Sequence, residues 1–388
     1  MSNDIVNKSL DPNSNSFDVG IVGGGLAGLS LSILLAKKEY KVVLFEKEKY
    51  PFHRVCGEYI SLESWKFIKS LGLNLSGLNL PIIKKLIVSS FNGKRVNADL
   101  DLGGFGISRF FIDNELKKIA INNGVIVLEE TKVNDVVFND GKFAIKYKSE
   151  SVTCAVAVAS FGKRSNLDVK WERDFVRRKP GKLNNYIGVK YHIKSSVPVD
   201  TIALHNFKYG YCGISKVEDD AYCLCYLTTA QNLKNNNSIK EMEQNILYKN
   251  PFLKQLFTES EFLLKEPVTI SQISFDRKSL VENHVLMIGD AAGMITPLCG
   301  NGMSMALHSS KIASIYIGQY LNKEITMTEM EKRYRQQWEN NFGRRLKVGR
   351  IIQKMFGKEL TTNLFISLLK PFPFLVNKIV KATHGKEF

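Results

Sequence analysis

The sequence predicts an α/β chain folded as two lobes, one on a parallel sheet and one on an antiparallel sheet, with helices at the C-terminal end. Three observations carry this. At 388 residues the chain exceeds the roughly 250–300 at which a single hydrophobic core stops growing. Near the N-terminus an apolar run, a glycine turn, an apolar helical stretch and a second apolar run follow one another as a β-α-β unit. From Tyr186 to Leu227 the pattern changes to alternating segments rich in Tyr, Val and Ile, which suit an antiparallel sheet. Hydrophobic residues at 44% and charged residues at 24% are ordinary globular values and exclude a disordered or low-complexity chain.

Taken in order, residues 1–16 are polar and Asn/Ser-rich without an apolar core, so they read as a disordered tail and not as a targeting peptide. Phe17–Val22 is a short buried strand, Leu26–Ala36 a helix and Lys41–Glu46 the next strand. Between Gly124 and Tyr147 lie three strand-like runs, the last two joined as a hairpin by Asn139-Asp140-Gly141. Val152–Val158 is apolar on both faces, as a central parallel strand must be. After the alternating region, Gln231–Ser238 is a polar link to a helix over Ile239–Tyr248, and Val268–Phe275 is a further strand. His284–Asp290 returns to the parallel type and a helix starts near Gly302. The first lobe is therefore discontinuous, over 17–80, 105–165 and 280–343, with the second lobe over 81–104 and 166–279. A basic helical segment, 344–388, closes the chain: a long helix over Thr328–Phe356, then apolar stretches from Leu360 to Val380 broken by Pro371 and Pro373.

Fifty-four Lys and Arg against thirty-eight Asp and Glu give a formal charge of +16. Such a bias suits nucleic acid, an anionic membrane face, an acidic protein or an anionic ligand. No nucleic-acid-binding signature accompanies it, so nucleic acid is set aside. Arg344, Arg345, Lys347, Arg350 and Lys354 make the C-terminal segment the candidate contact for an acidic carrier protein or a membrane surface. Cys56, Cys154, Cys212, Cys223, Cys225 and Cys299 form no CxxC pair and no Cys/His metal spacing. They read as reduced thiols, with no metal site, in a cytoplasmic chain. Nowhere do ~20 consecutive apolar residues supply a membrane span, so membrane contact would be peripheral.

The chemistry begins at Gly23-Gly24-Gly25-Leu26-Ala27-Gly28, a GxGxxG between a strand and a helix, with Glu46 ending the next strand. Gly23 allows the tight turn, Gly25 lets the backbone approach a pyrophosphate, and Gly28 allows helix–strand packing. The helix N-terminus supplies N–H donors, and Glu46 would accept hydrogen bonds from a ribose. The pattern fits a dinucleotide without separating FAD from NAD. A second glycine site follows at Gly289-Asp290-Ala291-Ala292-Gly293 and Gly300-Asn301-Gly302, just after a strand and just before a helix.

On these residues the chain resembles the FAD-dependent superfamily of geranylgeranyl reductases and aromatic hydroxylases of the p-hydroxybenzoate hydroxylase type, from about Phe17 to Lys347. The resemblance implies a Rossmann-like FAD-binding lobe with a β-meander and an antiparallel substrate lobe. It places Gly289 and Asp290 at the flavin ribityl chain, and Gly300 and Gly302 beside the flavin ring. Ile107-Ser108-Arg109, followed by Phe111-Ile112-Asp113, resembles the segment whose arginine touches FAD. Pro51–Glu58 resembles the reductase stretch beside the flavin, with Arg54 toward the cofactor and Cys56 as an acid or an apolar wall. Tyr209–Lys216 and Tyr222–Leu227 resemble the aromatic segment lining the reductase substrate cavity, without its usual Trp and Phe-Pro. Phe161 stands where the hydroxylases carry an Asp tied to FAD and NAD(P)H, with Lys163 and Arg164 beside it.

The first expectation is therefore an FAD-dependent reductase adding hydrogen across a C=C bond of a hydrophobic or ring-bearing small molecule. Cys56 and Tyr211 are the candidate acids and NAD(P)H the candidate electron donor. The alternative is a monooxygenase hydroxylating an aromatic or polyketide-like substrate, including one held on a carrier protein. Halogenation is disfavoured because no WxWxIP-type segment occurs. A third reading is a non-catalytic flavoprotein, an electron carrier or sensor, against which the separate second lobe argues.

Overall fold

A computed structural model describes residues 15–177, 184–296, 300–355 and 358–388. The chain opens with strand β1 (Ser16–Val22), helix α1 (Leu26–Ala36) and strand β2 (Val42–Phe45). It then crosses to a second layer through strand β3 (Tyr59–Ser61), helix α2 (Trp65–Leu71) and the paired strands β4 (Ile82–Ser89) and β5 (Arg95–Gly106). Helix α3 (Arg109–Asn122) leads back to β6 (Ile126–Leu128), the hairpin of β7 (Val133–Asn139) and β8 (Lys142–Tyr147), and β9 (Glu150–Ala159). Short helices α4 (Asn166–Lys170) and α5 (Asp174–Arg177) precede β10 (Asn184–Lys194), β11 (Thr201–Phe207), β12 (Gly210–Lys216) and β13 (Tyr222–Thr229). Next come α6 (Ala230–Lys234), α7 (Ile239–Ile246), α8 (Pro251–Glu259), β14 (Glu261–Phe262) and β15 (Val268–Ser274). The chain returns with β16 (Val281–Glu282) and β17 (Val285–Met287) and ends in α9 (Gly302–Leu321), α10 (Met327–Met355), α11 (Glu359–Leu369) and α12 (Pro373–Thr383).

The first sheet runs β16-β17-β9-β1-β2-β6, with β8 joining β7 to β9. β1 lies at its centre, parallel to β2 and β9: Gly20 pairs with Val43 on one side and Ala157 on the other. A strand enclosed on both edges and both faces must be apolar throughout, which is why Val19, Ile21 and Val156 to Val158 are all buried. The β7–β8 hairpin closes with Asn139 opposite Lys142. Its two turn residues, Asp140 and Gly141, both have positive φ, as the tight turn requires. The strand expected over His284–Asp290 is shorter, Val285–Met287, because Gly289 turns the chain at φ +60°.

The second sheet runs β14-β10-β13-β12-β11-β4-β5-β3, with β15 on β10. It is antiparallel except for β11 on β4, where Leu204 pairs with Val88 in parallel. Those two strands come from separate passes of the chain, which is how a parallel pair arises in a sheet of hairpins. Period-2 alternation on β10 sends Ile187, Val189, Tyr191 and Ile193 into a core with α7 and α8, including Met242, Leu253 and Phe257. Tyr186 packs instead in a separate core, shared with Leu204, Leu227, Ile366 and Val376 of the C-terminal helices.

Among the described residues no single helix is long and apolar enough to cross a membrane. Of the basic residues expected to dock a partner, Arg344 and Lys347 are exposed. Arg345 instead turns inward beside Glu63, at 3.6 Å. The Lys354 side chain lies outside the described residues, as do Pro297, Leu298 and Cys299.

Candidate active site

The turn after β1 is held from several sides. The Gly23 N–H donates to the Phe45 carbonyl at 2.8 Å, and φ at Gly23 is +110°, so a Cβ there would lie 2.6 Å from the Ser160 backbone. The Gly24 N–H donates to Glu46 Oε2 at 2.9 Å, and the Tyr50 hydroxyl donates to the Gly24 carbonyl. Gly28 packs directly on the turn: a Cβ would sit 2.1 Å from the Gly23 carbonyl oxygen. Gly25 differs, because a Cβ there would meet only Arg109 Nη2, at 3.3 Å. The space ahead of the α1 N-terminus is thus open, with N–H groups and an arginine facing it, and suits a pyrophosphate.

Two arginines and two acids close this end. Arg54 pairs with Glu46 at 2.7 Å and with Asp113 at 3.1 Å. Arg109 grips Asp113 with Nε at 2.8 Å and Nη2 at 2.6 Å. Burial disfavours the Arg109 charge, but the Asp113 carboxylate outweighs it and raises its pKa. Asp113 is a member that the sequence reading placed only within a motif; its spacing of four from Arg109 on α3 is the signal for this pairing.

Gly289 and Asp290 approach the same turn. A Cβ on Gly289 would lie 3.0 Å from Ala27 Cβ, and its N–H donates to Ser309 Oγ at 2.9 Å. Lys278 is buried and donates to the carbonyls of Asp290, at 2.8 Å, and Lys163, at 3.0 Å. Burial pushes its pKa down to about 8. Arg173, paired with Asp168 at 2.7 Å with neither side chain exposed, donates to the Ala291 carbonyl. The backbone is thereby pinned while the Asp290 side chain remains half-buried. A narrow crevice is bounded by Gly289, Asp290, Gly302, Met305 and Ser309.

Cys56 reaches this region from the other side. Its Sγ lies 3.1 Å from Met303 Sδ, in the first turn of α9 and next to Gly302. Tyr59, absent from the sequence candidates, is buried against Gly300, where a Cβ would sit 3.3 Å from its ring. Tyr59 and Gly300 also border a cavity of about 100 Å³. The cavity walls are apolar: Leu86 and Val88 of β4, Val96 and Leu100 of β5, and Ile202 and Leu204 of β11. Phe365, Ile366 and Leu369 of α11 and Val376, Ile379 and Val380 of α12 face them. Tyr211 is buried in the same apolar cluster as Leu204 and Leu227.

A buried polar cluster also escaped the sequence reading. Glu58, at φ +54°, pairs with the Lys190 ammonium and with His192 Nε2, the latter at 2.6 Å, and accepts the Arg109 N–H at 2.7 Å. Burial alone would raise the Glu58 pKa, but the Lys190 charge and the His192 hydrogen bond push it down to about 2. Burial, then Lys190, push His53 down to about 4, and its ring meets that of His192 edge-on at 5.1 Å. Cys223 donates to the Cys56 carbonyl at 3.1 Å. Glu58, His192 and Cys223 bring ligand-type atoms within 4.8 Å of one another, yet both Glu58 oxygens already hold partners, so the group is a buried ion-pair cluster bracing the Cys56 segment. Lys163 braces it too, donating to the Val55 carbonyl at 2.7 Å.

A parallel sheet with a glycine turn at its centre, a second glycine site beside it and an apolar cavity alongside define a dinucleotide-dependent oxidoreductase. The chain belongs to the FAD binding domain family, whose pattern it matches over residues 16–324, and FAD is its cofactor. It is 24% identical to conditioned medium factor receptor 1 of Dictyostelium discoideum, over 93% of this chain and 73% of that protein. It is 22% identical to digeranylgeranylglycerophospholipid reductase 2 of Methanothermobacter thermautotrophicus, over 91% of this chain and 95% of that one. Among solved structures, the flavin-dependent brominase Bmp2 superposes with a TM-score of 0.77 at 20% identity, covering 95% of this chain and 93% of that one. Such distant structural likeness speaks to the fold.

Proposed function

We propose that the protein reduces C=C bonds in a long apolar, isoprenoid-like chain. The observation that carries this is the apolar cavity bordered by Gly300 and Tyr59, walled by aliphatic side chains from the three strands β4, β5 and β11 and roofed by α11 and α12. A chain of CH₂ and CH₃ groups gains about 0.8 kcal/mol per buried CH₂ in such a space, whereas a hydroxylated ring finds few hydrogen-bond partners on these walls. The reductase relative is consistent with that choice.

In this reading Gly23, Gly25, Gly28, Glu46, Arg54 and Arg109 hold the dinucleotide end of FAD, and Gly289, Asp290, Gly300 and Gly302 the flavin end. When held there and reduced by a nicotinamide donor, FAD would supply hydride chemistry toward one carbon of the double bond. A proton must reach the other carbon, so the product gains two hydrogens. Of the two acids read from the sequence, Cys56 lies beside the first turn of α9, and we assign the proton to its thiol. Tyr211 is buried in the apolar core beside Leu204 and Leu227 and is given no role in the reaction. Tyr59, three residues after Cys56, is buried at the border of the cavity.

The test is mass analysis of products after anaerobic incubation of the FAD-loaded protein with NAD(P)H and a polyprenyl lipid. A gain of two hydrogens per reacted bond is expected. An unchanged lipid without oxygen and an oxygenated product with it would replace this reading by the monooxygenase.

A further inference from the structure

Helices α11 and α12 turn apolar side chains inward to the cavity, yet their outer faces are apolar as well. Leu360, Leu364 and Leu368 recur every fourth residue, one stripe of a helix, and are 85%, 62% and 60% exposed. Phe372 and Phe374, at the corner between the helices, are 49% and 54% exposed. The two helices meet at 115°; neither alone is long enough to cross a membrane, and together they have the length and composition of a broken span or re-entrant pair. Exposed lysines border the ridge: Lys358 before α11, Lys370 at its end, and Lys378 on α12. The only acid within α11 is Glu359. Large exposed apolar side chains gathered in one ridge mark a contact surface, and flanking lysines match a negatively charged partner.

We propose that the outer face of α11, with Phe372 and Phe374, seats in the surface of an anionic lipid bilayer. The leucine stripe and the two phenylalanines enter the boundary between headgroups and acyl chains, while Lys358, Lys370 and Lys378 stay at the phosphates. Because the inner faces of the same helices roof the cavity, docking brings the cavity against the membrane, and a lipid chain need never cross water to enter. That last clause rests on the reductase reading; the docking itself rests on the exposed ridge.

Vesicle flotation of the full, FAD-loaded chain tests docking without any turnover. Binding is expected to phosphatidylcholine vesicles containing phosphatidylglycerol, and to weaken when phosphatidylglycerol is left out. Leu360→Gln together with Leu364→Gln and Leu368→Gln should lower binding by on the order of tenfold or more while retaining flavin absorbance, since these side chains face outward. Lys370→Glu with Lys378→Glu should lower binding to the anionic vesicles by about tenfold. Failure of the wild type to float, or a leucine variant that floats like wild type, overturns the proposal. A wild-type dimer in sedimentation that the leucine variant dissolves, without vesicle binding, would overturn it in favour of a second copy on this face. Vesicle binding without lipid reduction would leave docking intact and remove only the reductase reading.

Discussion

The Lys190 ammonium meets the Glu58 carboxylate inside the protein with neither side chain exposed to solvent. Glu58 lies two residues after Cys56, and Lys190 lies on β10 of the second sheet, so this pair ties the Cys56 segment to the sheet beside the cavity. A buried pair contributes little against an apolar replacement, but removing one partner strands the other charge. Lys190→Met should therefore lower stability by about 3–5 kcal/mol, measured by urea unfolding. Glu58→Gln in the Lys190→Met background should recover part of that loss. Additive losses would show that the two groups act separately.

Gly25 and Gly28 should fail in different ways. Gly25→Val projects into open space and should leave the fold intact while lowering FAD affinity by on the order of a hundredfold, the loss of about two charge-assisted hydrogen bonds. Gly28→Ala meets the Gly23 carbonyl at 2.1 Å and should destabilise the fold by about 1–3 kcal/mol. Flavin titration and thermal unfolding of both variants separate the two effects. Full FAD affinity in Gly25→Val would contradict the assignment of the turn.

Buried histidines set the acid limit. His205, bonded to Ser89 Oγ at 2.8 Å and stacked on Phe252, is pushed by burial down to about 4 from an ordinary 6.5. The folded state holds it neutral. Its contribution is complete above pH 6.5 and is lost as pH falls through about 4, because there the unfolded chain binds the extra proton. His53 and His308 act with the same sign. Stability should be level above that window and fall within it, and His205→Gln should flatten the fall by on the order of 2 kcal/mol in denaturant titrations at several pH values. An unchanged slope would show that His205 does not titrate there.

Cys56→Ser should retain FAD and slow substrate reduction by about a hundredfold or more, measured as product formed per flavin. Unchanged turnover would reduce the thiol to a wall.

How much of this is legible in the sequence follows from how local each feature is. The β1–α1–β2 unit and its glycines are legible because Gly23 and Gly28 are demanded by backbone contacts within the unit or next to it. The cavity is not, since β4, β11 and α12 contribute Val88, Leu204 and Val380 to it from distant parts of the chain. β4 is obscured because Lys84 and Lys85 interrupt its apolar pattern. Glu58 ends the recognised Pro51–Glu58 stretch, but its partner Lys190 is far away in sequence and is brought to it only by the fold. A trace was present: Lys190 and His192 stand two apart, on one face, within the otherwise apolar run from Tyr186 to Ile193. Tyr59 follows the recognised Cys56 segment but carries no motif of its own.

The central claim is that reduced flavin in this protein passes its electrons to a C=C bond in an apolar chain. The most direct measurement is flavin absorbance after anaerobic reduction, followed on addition of a detergent-dispersed polyprenyl lipid with oxygen still excluded. The account predicts return of the oxidised spectrum as the lipid gains two hydrogens for each flavin reoxidised. A flavin that stays reduced with the lipid and reoxidises only in air, with oxygen appearing in the product, would contradict it.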